Sequence, residues 1–388
     1  LSLMPQEDSM AKFKLKTKIK EAGSSIRLSG KYIQKMQRVS GSESEGETIV
    51  RHYQAYKYAK RLMLIVVLLL AIVVFGIDIG LGFITVYQQI LDRIMDWGQE
   101  MSTDMRVVWN LRMPRVIAAL LAGMGLAMAG AAMQSMMKNP LADPYTTGIS
   151  SGAALGATMA MTLGICLIPG NYGIVINAFI FALIPAAFIM LISTFRKPSP
   201  ATIILSGIAL MYIFNAITTM IKLWADPNDL EAIYLWSVGS FDTIRWDDLP
   251  VMFFVTLFGS IGIMLISNKL NILASGDESA KSLGIDASRL RIICLVVVSL
   301  ITASIVSFTG IIGFVGLVAP HVVRLFIGSD NKFLIPASAA FGAALLLISD
   351  LVGRTIIAPS VIQVGVITSF IGGPLFLYLI IRQKKEMW

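Results

Sequence analysis

Between Arg115 and Lys138 the chain runs without a single charge, through an apolar stretch that contains Gly123, Gly125 and Gly130. A helix rises about 1.5 Å per residue and a bilayer core is about 30 Å thick, so the segment from Met113 to Met137 is long enough to cross one. Small residues at this density let neighbouring helices approach closely, which marks a membrane helix packed inside a bundle. It enters beside Arg112, Pro114 and Arg115. It leaves into a proline-punctuated loop, Asn139-Pro140-Leu141-Ala142-Asp143-Pro144.

The pattern recurs. The chain is 56% hydrophobic and 14% charged, with mean hydropathy +0.74, far from the mixture of a soluble domain. Ten apolar spans are expected, near 62–83, 113–136, 146–168, 173–195, 201–223, 249–267, 291–307, 310–326, 333–353 and 363–381. The fold class is therefore an all-α polytopic membrane protein. The seventh and eighth spans are short and separated only by Phe308-Thr309, so one kinked helix is an alternative reading there. The domain order is a basic tail, 1–61, a ten-helix membrane domain, 62–382, and a short end, 383–388.

Lys and Arg placement sets the orientation. With the amino terminus inside, 25 of the 32 basic residues fall on the cytoplasmic side. The other seven are Arg93, Arg106, Arg112, Arg115, Lys222, Arg245 and Arg354. Both termini are expected in the cytoplasm and the protein in the cell membrane. The tail, with Lys12, Lys14, Lys16, Lys18 and Lys20 in alternation, has too little apolar content to order itself and suits loose attraction to anionic lipid. Its local charge, 13 basic against 6 acidic residues, accounts for nearly all of the net +8, so no nucleic-acid partner is implied.

Of the 24 acidic residues only Asp78 and Asp350 fall within the spans, both near the outer ends. An ion-coupled transporter usually keeps ionisable groups at mid-depth, where they are costly and therefore functional. No GxxxxGK[ST] phosphate loop occurs either, so any nucleotide-derived energy comes from another chain. Cys166 and Cys294 lie far apart within apolar stretches and read as packed thiols. His321 has no carboxylate at helical spacing and reads as a packing residue; His52, in the tail, cannot pair with it. The methionines lack an MxxM array and fill core gaps.

Three blocks resemble the FecCD-type permease family, the membrane subunits of type II ATP-binding-cassette importers for iron–siderophore complexes, haem and cobalamin. The first is Arg112-Met-Pro-Arg115, with Asn139 to Pro144 and Gly148-Ile-Ser-Ser-Gly152 after it. The second is Gly313-Phe-Val-Gly-Leu-Val-Ala-Pro-His-Val-Val-Arg324. The third is Asp350-Leu-Val-Gly-Arg354, then Val364-Gly-Val-Ile-Thr368 and Gly372-Gly-Pro374. The resemblance covers roughly 62–382 and excludes the tail. It implies a cobalamin-importer-permease-like bundle and a homodimer around a central pathway. Two cytoplasmic ATPase subunits, an external substrate-binding protein and a metal-chelate substrate would complete the assembly. This chain would bind no cofactor; ATP and Mg would sit on the ATPase partners.

Residues 270–290 form the longest internal polar segment on the expected inner side. Asp277 and Glu278 suit the first turn of a short helix and Gly284 its end. From the residues alone an amphipathic loop fits as well. Gly276, Asp277, Glu278, Ser279, Ala280, Lys281, Leu283 and Gly284 resemble the family's ATPase-coupling helices. Arg112, Arg115 and Arg354 gather at the outer ends of two spans, where guanidinium forks suit carboxylates of a docking protein or, equally, lipid phosphates. The resemblance implies docking. Asn139, Pro140 and Leu141, together with Pro200 and Ala201, lie in proline-broken loops that fit either plain connectors or the family's inner gate.

The expected function is the permease subunit of an ATP-driven importer working by alternating access, with no catalytic residue of its own. The alternatives are an ion-coupled secondary transporter, against which the missing mid-membrane acids count, and a membrane enzyme, for which no nucleophile or metal cluster is found.

Overall fold

A computed structural model describes residues 43–80, 86–95, 103–170, 172–195 and 198–382. All regular structure among them is helical. The chain divides into two units, 1–65 with 383–388, and 66–382. In the first, the described part is helical and belongs to α1, Glu43–Gly80. Residues 43–61, expected as disordered tail, are therefore helix. Once the apolar segment has nucleated a helix, each further residue adds a hydrogen bond at little cost, and the sequence from Thr48 to Arg61 contains no Gly or Pro to stop it. Residues 1–42 and 383–388 of the expected tails lie outside the described residues.

The second unit is the bundle. Short helices α2, Val86–Met95, and α3, Thr103–Val107, lead through a π-helical turn, Val108–Arg112, into α4, Met113–Met137. Then come α5, Ile149–Leu163, α6, Gly173–Phe195, α7, Pro200–Lys222, and α8, Pro227–Val238. The rest are α9, Leu249–Ala274, α10, Asp277–Ser282, α11, Ala287–Thr309, α12, Val315–Ile327, α13, Asn331–Thr355, and α14, Val364–Arg382. A helix stands at each of the ten expected spans. Among the described residues, seven helical segments are long and apolar enough to cross a membrane; α5, α12 and the apolar part of α14 fall short by length.

Local chemistry sets the helix ends. Pro114, Pro200, Pro227 and Pro250 sit in first turns, where the missing amide would have no helical partner. Ser199, Asp286 and Asp330 cap α7, α11 and α13 by accepting amide hydrogens of the first turn. α11 and α12 are separate helices. The chain between them turns through Gly310, at φ 71°, and Phe314, at φ 70°, which ends the single-kinked-helix alternative. The break falls five residues long at 310–314, not at Phe308-Thr309, where α11 is still helical.

α4 is the axis of the bundle, packed against α9, α11, α12 and α13. Its apolar window is 83% buried, whereas those of α6, α7 and α9 are 33%, 28% and 22%. These three present their apolar faces outward to lipid or to another chain, while α4 is enclosed by protein. The close approach is written in glycine. A Cβ at Gly123 would overlap the Gly342 backbone of α13, and one at Gly130 would overlap Gly316 of α12. Leu295 and Ile301 of α11 and Leu346 of α13 fill the space around it and are fully buried.

Candidate functional site

At about 1.5 Å per residue, the 25 residues of α4 separate two charged clusters by more than the thickness of a bilayer core. One cluster gathers at its N-terminal end and the other at its C-terminal end.

At the first, Arg115 forks onto Asp350 of α13. Its Nε donates to Oδ1 at 2.9 Å and Oδ2 at 3.0 Å, and Nη2 lies 2.7 Å from Oδ1. Nη1 pairs with Asp242, whose other oxygen accepts from Ser240 Oγ at 2.7 Å. Arg354, one turn after Asp350, also donates to it, Nε to Oδ2 at 3.0 Å. The Asp350 side chain is fully enclosed while Asp242 is 43% exposed. Arg115, Asp242 and Arg354 border a cavity of about 400 Å³ lined also by Leu111, Arg112 and Val361. Trp109 and Trp246 stack at 5.1 Å, the indole of Trp246 donating to the Trp109 carbonyl, and brace the chain just before α4. The three arginines singled out in the sequence thus do converge. Arg115 and Arg354 share Asp350, a carboxylate of their own chain.

The sequence reading missed Asp242 and gave Asp350 no partner. A signal existed: Asp350 and Arg354 are spaced one helical turn apart, and an acid buried in a span requires a cation.

At the other end, α10 is a single exposed helix between the ends of α9 and α11. Gly276 precedes it at φ 133° and Gly284 closes it at φ 75°, both conformations that glycine adopts without strain. Ala280 is fully buried and anchors it, accepting the Ile285 amide at 2.9 Å. Glu278, Ser279, Lys281 and Leu283 face outward, Leu283 with 65% of its surface exposed. Asp277, half exposed, is paired with the bundle. Arg291 of α11 grips it with Nη1 at 2.9 Å and Nη2 at 2.7 Å, and Lys138, the left-handed cap of α4, reaches it at 2.7 Å. Those hydrogen bonds, Arg291's first, hold the Asp277 carboxyl down at about 2. Arg291 also donates to the Pro198 carbonyl at 3.4 Å, just before α7.

The loops singled out as gate candidates meet here. Asn139 Oδ1 accepts the Leu141 amide at 2.9 Å, fixing the turn around Pro140, and Leu141 is exposed. Pro200 opens α7 beside the Ser199 cap, with Ala201 exposed. Two more polar residues near the C-terminus of α4 tie neighbouring helices: Gln134 accepts from Arg324 of α12 at 2.9 Å, and Ser135 donates to Asn331 of α13 at 2.7 Å. His321 is buried edge-on to Phe376. Cys166 and Cys294 are free thiols, and among the described residues no His, Cys, Asp or Glu cluster has metal-binding geometry.

The profile of the FecCD transport family matches residues 63–382. This chain belongs to that family. Among curated relatives it is 41% identical over 349 residues to a Methanocaldococcus jannaschii protein provisionally named an ABC transporter permease, covering 86% of this chain and 99% of that one. It is 35% identical to the hemin transport system permease HmuU of Yersinia pestis, over 75% of this chain and 88% of that one. It is 39% identical to the cobalamin import system permease BtuC of Halobacterium salinarum, over 71% and 73%. A solved chain of an ABC transporter described as metal-chelate type, inward-facing, superposes with TM-score 0.74 at 28% identity, over 83% of this chain and all of that one. The family match spans both charged clusters of α4 and stops at the end of α14, the last described helix.

Proposed function

We propose that this chain is the membrane-spanning permease subunit of an ATP-driven importer for a metal chelate, haem or a corrinoid. The observation that carries the reading is the FecCD match over 63–382 in a bundle that offers a small exposed helix at one end and an arginine-lined cavity at the other. The Methanocaldococcus jannaschii relative is named as an ABC transporter permease and the solved neighbour as a metal-chelate type ABC transporter, which favours this over an ion-coupled transporter.

On this reading both termini lie in the cytoplasm and ten helices cross the membrane, the short ones within a protein-lined interior. Two copies pair, with the outward apolar faces of α7 and α14 at the seam; Tyr212 and Phe370 are 68% and 77% exposed in the single chain. Two cytoplasmic ATPase subunits bind and hydrolyse ATP with Mg, and α10 docks in a groove on each. An external binding protein delivers the chelate at the Arg112–Arg115–Arg354 end. ATP-driven closure of the ATPase subunits pushes α10 and shifts the bundle between outward- and inward-open states, a choice between discrete packings. The loops at 139–141 and 200–201 form the inner gate. No bond in the substrate changes, and this chain supplies no catalytic group.

The test is reconstitution. Genes for an ATPase and a binding protein from the same operon are co-expressed with this chain, and the purified complex is placed in vesicles loaded with ATP. Chelate accumulation that requires all three proteins and ATP supports the reading. Uptake by this chain alone, abolished by a protonophore, overturns it.

A further inference from the structure

Helix α10 carries two kinds of side chain. Glu278, Lys281 and Leu283 point outward, whereas Asp277, although its side chain is 50% exposed, is tied to the bundle by Arg291 and Lys138. There its two oxygens gather cations from two elements that are remote in sequence. Lys138 closes α4 and begins the loop that continues through Asn139-Pro140-Leu141. Arg291 opens α11, has a side chain only 3% exposed, and holds the carbonyl of Pro198, two residues before Pro200. One carboxylate therefore links α10, α11, the loop after α4 and, through Arg291, the loop before α7.

We propose that Asp277 is a positioning residue that passes movement of α10 into the loops at 138–141 and 198–201 together. The inference rests on the importer reading given above. The physical argument is stiffness. A bidentate guanidinium–carboxylate pair fixes direction as well as distance, so it transmits a push where a single flexible contact would yield. A buried guanidinium also cannot release its carboxylate without leaving an uncompensated charge. Lys138 adds a third contact from the left-handed cap at φ 52°, a backbone conformation uncommon for a non-glycine residue. Asp277 is ionised throughout the physiological range, so the link is permanently engaged. The Ala280 anchor keeps α10 a rigid lever. Because both loops answer to one residue, they move in concert.

The experiment uses the complete reconstituted transporter with spin labels at Leu141→Cys and Ala201→Cys, both exposed positions, in a Cys166→Ala background. The distance between the labels is measured with and without nucleotide, alongside chelate taken up per ATP hydrolysed. In the otherwise unaltered protein nucleotide changes the distance. Asp277→Asn, which keeps an oxygen acceptor but loses the charge and the bidentate grip, is expected to retain the ATPase subunits on purification. Its nucleotide-dependent distance change should vanish and its uptake per ATP fall tenfold or more. Lys138→Met, which leaves the Asp277–Arg291 pair intact, should fall by a smaller factor and serves where Asp277→Asn fails to insert. A charge exchange, Lys138→Asp with Asp277→Lys, should stay as poor as Asp277→Asn because Arg291 then faces a lysine. Uptake per ATP and distance change equal to the parent in both Asp277→Asn and Lys138→Met overturn the proposal. If the parent complex neither holds the ATPase nor responds to nucleotide, the importer reading itself has failed, and this inference with it.

Discussion

Arg115 and Asp350, 235 residues apart in sequence, meet through a forked contact of 2.7–3.0 Å that joins the start of α4 to the end of α13. Asp350 is shared with Arg354, so one enclosed carboxylate holds two guanidinium groups. The consequence reaches the proposed docking surface: Arg115 already has internal partners, and its first task is to close the bundle.

Removing the shared acid should therefore cost stability before it costs binding. Breaking a buried pair from one side leaves charge uncompensated and typically costs about 3–5 kcal/mol. Asp350→Ala is expected to lower the unfolding temperature of the detergent-held protein by several degrees, with Arg354→Ala milder because Arg115 remains. Thermal unfolding of the three proteins side by side is the check. Equal melting of Asp350→Ala and the parent would show that the cluster is not a structural tie.

A second acid behaves in the opposite sense. Asp143, in the connector between α4 and α5, has the Tyr145 amide as its hydrogen-bond donor, and burial pushes its carboxyl up to about 6. Its folded value lies above the ordinary 3.8, so the folded state binds the proton more tightly than the unfolded chain. Stability from this group is present at low pH and is lost as pH rises from about 4 through about 6. Asp143→Asn keeps an oxygen for the Tyr145 amide and should remove that loss, making the variant more stable than the parent at pH 7–8 and no better at pH 4. Asp277 carries the reverse sign. Its depressed value means that its contacts persist at neutral pH and fade only as pH falls from about 4 through about 2.

The long helices were legible because hydrophobicity reports burial in lipid and in protein alike; all ten spans have a helix. That same ambiguity hid α4's central place, since glycine density hinted at close packing but only the Gly123–Gly342 and Gly130–Gly316 contacts identify the partners. α8 is too short to show as an apolar span, and its only local mark is the helix-start pair Asp226-Pro227. The α10 knob was legible from its acidic first turn and Gly284. The pairing of Asp277 was not, since Lys138 and Arg291 come from elsewhere in the chain and pairing across such separations leaves no local trace. Asp242 was invisible for the same reason.

The outward face of α10 should matter for energy transfer and little for the membrane-embedded part. Glu278 and Leu283 have no role in the bundle's interior, and Leu283 is largely exposed. Replacing both with Ala is expected to leave insertion and thermal stability within the small range typical of surface changes, about 0.5 kcal/mol. Transport-linked ATP hydrolysis should fall by an order of magnitude or more. Normal hydrolysis and uptake in a well-expressed double variant would move the ATPase contact away from α10.

Docking at the opposite end is best tested at Arg112 rather than at Arg115. Reversing Arg115 would set a glutamate against Asp350 and Asp242, so a loss of binding could follow from disruption of the bundle end alone. Arg112 lines the same cavity from the last residue of the π-helical turn. A charged contact at a partly buried interface loses about 2–5 kcal/mol when one partner is cut away, and about 1.4 kcal/mol is tenfold in affinity. Arg112→Glu should thus weaken binding-protein affinity by roughly 25-fold or more, with a steeper effect at low salt than at high. Arg112→Ala should lose less than the reversal, and a Glu→Arg or Asp→Arg change on the binding protein should restore the reversed variant. Lipid anchoring predicts a different pattern, with reduced insertion and normal affinity in whatever protein inserts. Affinity in nanodiscs at two salt concentrations separates the two, and a parent-like value for Arg112→Glu would place the docking surface elsewhere.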